Sequence, residues 1–261
     1  MLTIGSLFSG IGGLELGLEW AGLGPVIWQV ECDKYALKVL EKHWPEVERF
    51  TDVKEAGKHN LKQVDLICGG FPCQDLSVAG KRAGLENGKQ SSLWFEMHRI
   101  IGELRPRYAL IENVPGIYVS GLNRVLSDLA KIGYNAEWTH LSAKEVGAPH
   151  LRNRVFIIAY PECKCFDKSL EECGISIQGK KGKGHRKTYW DKFELVVGKM
   201  APSKWRDEGC QINTRPLFVR KGNGVSNGVH RLKCLGNAVV PQVAQVIGEM
   251  IKEFETKMQI N

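Results

Sequence analysis

Apolar positions in this chain recur in two rhythms, and the alternation between them outlines the fold. Short apolar blocks of strand length stand at residues 2–8, Val26–Val30, Val64–Cys68, Tyr108–Ile111, 134–142 and Val155–Tyr160. Between them the spacing changes to that of helices. Leu14, Leu16, Leu18 and Trp20 open a helix that stops near Gly22–Gly24, and residues 34–43 form another, ended by Pro45. Leu93, Trp94, Met97, Ile100, Ile101 and Leu104 give residues 92–104 one apolar face, and residues 119–132 read the same way. A last helix follows Pro241 and carries Val243, Val246, Ile247, Met250, Ile251 and Phe254 on the side that must be covered. Strands alternating with helices predict an α/β fold built on a doubly wound sheet.

The rhythm fades from 161 to about 215, where lysine and glycine rise in the run Gly179–Lys187 and tryptophans stand at 190 and 205. This stretch stands apart from the α/β pattern on either side of it. The net charge of +7 and a pI near 8.9 favour a polyanionic partner. A charge run is also how a solvated face reads. No apolar run reaches the roughly 18 residues of a membrane span, and no basic, apolar leader opens the chain, so a cytoplasmic protein without membrane attachment is expected. Eight cysteines then read as reduced thiols rather than disulfides. Cys163, Cys165, Cys173, His185 and Cys210 lack the paired spacing of zinc ligands, and no metal is expected.

Chemistry-bearing residues cluster where strands end. Gly69-Gly70 closes one strand, and Pro72 stiffens the loop that presents Cys73. A free cysteine is commonly a small buried hydrophobe, so Cys73 draws its interest from this setting. Ser9-Gly10-Ile11-Gly12-Gly13 turns the first strand into a helix, as in nucleotide-binding units, although a plain tight turn has the same residues. Glu31 ends the second strand, placed either to accept ribose hydroxyls or to sit in solvent. Asp52 is placed as a helix N-cap. Glu112 ends the strand from Tyr108, and Arg152 and Arg154 point to one side of an extended segment. Lys81, Arg82 and Lys89 lie in the glycine-rich stretch 80–91, which reads as a lid over phosphates or as a surface loop.

Five of these motifs, in this order, resemble the DNA cytosine-5 methyltransferases. Phe8-Ser9-Gly10-Ile11-Gly12-Gly13-Leu14-Glu15 resembles the turn that wraps S-adenosylmethionine, with Ser6 where many members carry Asp. Gly69-Gly70-Phe71-Pro72-Cys73-Gln74 resembles the nucleophile loop, and Glu112-Asn113-Val114 the motif that holds the cytosine. His150-Leu151-Arg152-Asn153-Arg154 resembles Gln-x-Arg-x-Arg, and Gly236-Asn237-Ala238-Val239-Val240-Pro241 the closing motif that completes the cofactor pocket.

The resemblance implies an S-adenosylmethionine-dependent, Rossmann-like methyltransferase sheet with a small inserted target-recognition lobe. Residues 1–160 would form the catalytic and cofactor domain, 161–215 the lobe, and 216–261 a segment returning to the first. Cys73, Glu112, Arg152 and Arg154 would be catalytic. Phe8, Gly10, Ile11, Gly13, Glu31, Cys32, Asp52, Val53, Pro72, Asn237, Ala238 and Val239 would bind S-adenosylmethionine. Lys81, Arg82 and Lys89, with Lys180, Lys181, Lys183, Arg186 and Lys187 of the lobe, would bind double-stranded DNA. The expected protein is a monomer, with a cognate restriction endonuclease as its functional counterpart. Two alternatives stand beside this one: a tRNA cytosine-5 methyltransferase on the same fold, and a catalytically silent DNA-binding relative.

Overall fold

In the computed structural model, which describes residues 1–72, 93–148, 150–161 and 234–259, seven strands form one sheet in the order β3-β2-β1-β4-β5-β7-β6. β1 (Ile4–Leu7), β4 (Leu66–Gly69) and β5 (Tyr108–Asn113) are buried at every position. Strands covered on both faces have no polar side to alternate with, and so read as continuous apolar blocks. β2 (Val26–Val30) and the short edge strand β3 (Glu48–Phe50) extend the sheet on one side, parallel to β1. On the other side β7 (Asn153–Pro161) runs antiparallel between β5 and β6 (Tyr134–Ser142).

Helices cover both faces. α3 (Leu93–Leu104) and α5 (Leu122–Lys131) close one core, with Trp94, Met97, Ile100, Ile101, Val125 and Leu129 against Trp28, Ile67, Ile111 and Ile157. α1 (Gly13–Trp20) and α6 (Pro241–Gln259) close the other, with Leu14, Leu18, Val243, Ile247 and Ile251 against Leu66, Leu110, Phe156 and Ile158. α2 (Lys34–His43) buries Ala36 and Leu40 and is capped by the Asp33 carboxylate, which accepts from the Tyr35 and Ala36 amides.

Three local expectations need correction. The helix expected over 119–132 is two pieces, α4 (Ile117–Ser120) and α5, parted at Gly121, whose φ of −158° is not helical. Asp52 starts no helix: its Oδ1 accepts the Lys54 amide at 2.9 Å and closes a single exposed turn. The edge strand β3 was not expected, because Glu-Arg-Phe carries no apolar block.

The chain goes from β1 outward through β2 to β3, then crosses back to β4 and on to β5. The reversal lies between β1 and β4, and the crevice outside their carboxyl ends is where this architecture places ligands. The glycine turn and the Gly70–Pro72 loop both open there.

Candidate active site

The glycine turn is shaped by its backbone. Phe8, Gly10 and Gly12 have φ of 55°, 57° and 84°. For a phenylalanine that region costs on the order of 1–3 kcal/mol and is tolerated where the surroundings fix it; here the Phe8 ring packs against the first core. Gly10 donates its amide to Glu31 Oε2 at 2.7 Å, and the Asp33 amide donates to Oε1 at 2.7 Å. Glu31 therefore braces the turn from the end of β2 and is half-buried while doing so. A side chain added at Gly10 would meet nothing within 4 Å, so the turn borders open space. The glycine turn and this carboxylate at its rim suit a nucleoside-bearing ligand. Cys32 beside Glu31 is exposed, and burial, followed by the Glu31 charge, raises its thiol above the usual range. Asp52 is exposed and Val53 buried in the core beyond β3. Ile11 is half-buried in the turn, and Gly13 begins α1.

The second half of the site is the platform for residue 73. Phe71 is buried, its ring 5.4 Å from that of Trp94, and its carbonyl accepts Asn113 Nδ2 at 3.4 Å. Pro72 follows, half-buried, so the chain leaves the core from a fixed point. Cys73 itself lies outside the described residues, as do Lys81, Arg82 and Lys89 of the 80–91 stretch. Glu112 stands at the end of β5, buried, with Oε1 2.7 Å from Arg154 Nε. A Cβ on Gly70 would sit 2.6 Å from Glu112 Oε2, so the carboxylate lies flat against the loop only because residue 70 has no side chain. Burial raises the Glu112 carboxyl above its usual range, against the opposing pull of Arg154 and Arg152. Burial thus works against the charge that the two guanidiniums favour.

Arg154 also donates from Nη1 to the Asn153 carbonyl, while Arg152 donates from Nη1 to the Gly236 carbonyl at 2.7 Å. Burial and the Arg154 charge pull the Arg152 guanidinium below its ordinary value, and Glu112 opposes them. Asn237 is exposed and Ala238 and Val239 half-buried in the segment leading to α6. A Cβ on Gly13 would lie 2.3 Å from the Val239 carbonyl, so this segment crosses directly over the start of α1. The structure thus gathers the described candidates from Phe8 to Gly13, Glu31, Cys32, Glu112, Arg152, Arg154 and 237–239 around the carboxyl ends of the central strands. It leaves Val53 in the core.

Two residues of the site had no role in the sequence reading. Asn113 pins Phe71, a role its place in Glu-Asn-Val does not reveal. Glu15 lies fully buried behind the glycine turn, with Ser6 and Ser9 beside it and burial pushing its carboxyl up to about 7. The lobe residues Lys180, Lys181, Lys183, Arg186 and Lys187, and the cysteines weighed for zinc, lie outside the described residues. Among the described residues no group of His, Cys, Asp and Glu is placed to hold a metal, and no helix is long and apolar enough to cross a membrane.

Comparison with known proteins agrees with this layout. Residues 2–200 match the family model for C-5 cytosine-specific DNA methylases. Type II methyltransferase M2.BsuMI of Bacillus subtilis is 29% identical over 97% of this chain and 76% of its own length. Type II methyltransferase M.HhaI of Haemophilus parahaemolyticus is 32% identical over 59% of this chain and 47% of its own. The chain spans about half the length, or less, of the further curated relatives it matches. The methyltransferase EhMeth of Entamoeba histolytica superposes with a TM-score of 0.63 over 97% of this chain and 99% of its own, at 16% identity, which supports the fold. With the family model covering most of the α/β sheet, its glycine turn and the Glu112–Arg154 pair, the chain belongs to the C-5 cytosine-specific DNA methylase family.

Proposed function

We propose that the chain methylates C5 of a cytosine in duplex DNA, drawing the methyl group from S-adenosylmethionine. The observation that carries this reading is the buried Glu112–Arg154 pair wedged against Gly70, at the mouth of the loop that leads into Cys73. C5 of cytosine is a weak nucleophile toward a sulfonium methyl. A thiolate adding at C6 changes that, since the electrons of the C5–C6 double bond then become available at C5. Cys73 Sγ forms the bond to C6. Glu112 hydrogen-bonds the N3 and exocyclic-amine edge of the base and relieves the negative charge that develops there as the thiol adds. Arg154 holds the base carbonyl, with Arg152 toward the neighbouring phosphate. S-adenosylmethionine, when bound, supplies the methyl group at C5. A solvent base then takes the C5 proton, and the returning electrons expel the Cys73 thiolate. Attack at C6 comes along the stacking direction, so the base must leave the duplex stack.

Phe8, Gly10, Ile11, Gly13, Glu31 and Cys32 hold the cofactor from the first two strands, Asp52, the main chain of Val53 and Pro72 from the loops beyond them, and Asn237, Ala238 and Val239 from the other side. Lys81, Arg82 and Lys89 contact phosphates near the target base. Residues 161–215 form the recognition lobe, and its Lys180, Lys181, Lys183, Arg186 and Lys187 contact phosphates. The chain works as a monomer, and the Type II naming of its relatives supports a cognate endonuclease as its counterpart.

The test is a trapped adduct. Duplex DNA carrying 5-fluorocytosine offers no C5 proton to remove, so wild-type protein with S-adenosylmethionine should remain covalently bound to it. Cys73→Ser should form no adduct and lose turnover, because a hydroxyl is a far weaker nucleophile than a thiolate. Comparable turnover in the serine variant, or methylation of tRNA with none of DNA, would overturn the reading.

A further inference from the structure

We propose that Arg152 is a positioning residue for the cofactor pocket, acting through its hydrogen bond to the Gly236 carbonyl. The inference rests on the reading of 237–239 as cofactor-binding and adds a residue that holds them there. The segment between Cys234 and Pro241 closes one turn on itself, with the Ala238 amide donating to the Cys234 carbonyl at 2.9 Å. At its far end the Val239 carbonyl presses on the first turn of α1. Leu235, Gly236 and Asn237 are exposed, so apolar packing does not hold that arc down. The 2.7 Å bond from Arg152 Nη1 to the Gly236 carbonyl ties this arc to the approach of β7.

The two arginines of β7 and its approach therefore have different partners. Arg154 is committed to Glu112 and to the Asn153 carbonyl. Arg152 faces the C-terminal segment, and its own main chain is tied where the Ala143 amide donates to its carbonyl at 3.3 Å. Its Nε and Nη2 are buried without an acceptor among the described residues. Arg152 is thus one guanidinium shared between the substrate side, where Glu112 favours its charge, and the strap over the cofactor side.

The consequence is a loss of cofactor affinity before any DNA is present. Arg152→Met keeps the apolar stem and removes the donors, and Arg152→Lys keeps a charge and one donor group. S-adenosylhomocysteine binding to the full chain, measured by calorimetry without DNA, should weaken roughly ten- to a hundredfold in Arg152→Met, the range for a charge-assisted hydrogen bond. Arg152→Lys should recover most of it. Hydrogen exchange at the Ala238 amide should accelerate in the methionine variant and return toward the wild-type rate in the lysine variant. Wild-type affinity and wild-type exchange in Arg152→Met, with the loss confined to DNA binding, would overturn the proposal and leave Arg152 a phosphate contact. Wild-type protein that binds no S-adenosylhomocysteine would instead overturn the reading of the pocket, and the role of Arg152 with it.

Discussion

Glu15 is fully buried, with the Ser6 and Ser9 hydroxyls the polar side chains beside its carboxylate. Ionising it there is costly, which is why burial pushes its carboxyl up to about 7 against the weaker pull of Ser6 and Ser9. The sign follows from proton linkage. The folded state binds this proton more tightly than the unfolded chain does, so its stability falls as pH rises from the ordinary carboxyl value of 4.5 through about 7. Thermal unfolding across that window should show a loss on the order of 2–3 kcal/mol in wild-type protein. Glu15→Gln should flatten that slope and be the more stable form at pH 8. An unchanged pH profile in the variant would sink the assignment. Nothing in the local run Leu14-Glu15-Leu16-Gly17 reveals this burial. What encloses it is the sheet beneath α1, where Ser6 of β1 and Cys68 of β4 lie beside its carboxylate. Glu31 was easier to place, since a strand end shows in the pattern, but its two backbone partners at Gly10 and Asp33 depend on how the turn folds.

The packing of α1 on α6 depends on residues without side chains. A Cβ at Gly17 would lie 2.2 Å from the Pro241 carbonyl and 2.5 Å from Ala244 Cβ. One at Gly248 would lie 2.7 Å from Ala21 Cβ. The two helices approach closely because both surfaces are flat there. Gly17→Ala adds about 1 kcal/mol of intrinsic helix preference, yet it drives a methyl group into backbone that has little room to move. A net destabilisation of about 1–3 kcal/mol is expected in urea unfolding, the range for overpacking. A stabilised variant would show that α6 can lift away freely. Most elements were legible before the structure because fully buried parallel strands and one-faced helices leave strong periodic traces. β3 left none, since an edge of Glu-Arg-Phe has no apolar block, and the break at Gly121 looked like one continuous helix. The antiparallel insertion of β7 between β5 and β6 is a matter of long-range pairing, which no local pattern encodes.

Across the whole molecule, charge is spread unevenly along the sequence. Lys and Arg outnumber Asp and Glu two to one between residues 162 and 233, and elsewhere the two signs come close to cancelling, so that stretch accounts for the net +7. If it grips DNA through phosphates, neutralising Lys180, Lys181, Lys183, Arg186 and Lys187 should lower affinity for all sequences alike. Every phosphate partner so removed should flatten the dependence of log K on log salt by about 0.9. A change of target cytosine instead of a uniform weakening would mean that these residues read bases. The motifs flanking this stretch were legible because the chemistry of a strand-end site dictates residue types. The stretch itself was not, because contacts to bases and phosphates follow no periodic rule. The sheet's own ends carry one more consequence. Met1 and Leu2 line the same hollow as Lys252, Glu255 and Thr256, at the end of the sheet opposite the glycine turn. α6 therefore finishes beside the start of β1, although 162–233 separates it in sequence from β7. Joined there by a short linker and reopened before Cys234, the same residues would read α6, β1 and onward to β7 without interruption. A circular permutation opened at that point would leave every strand neighbour in place.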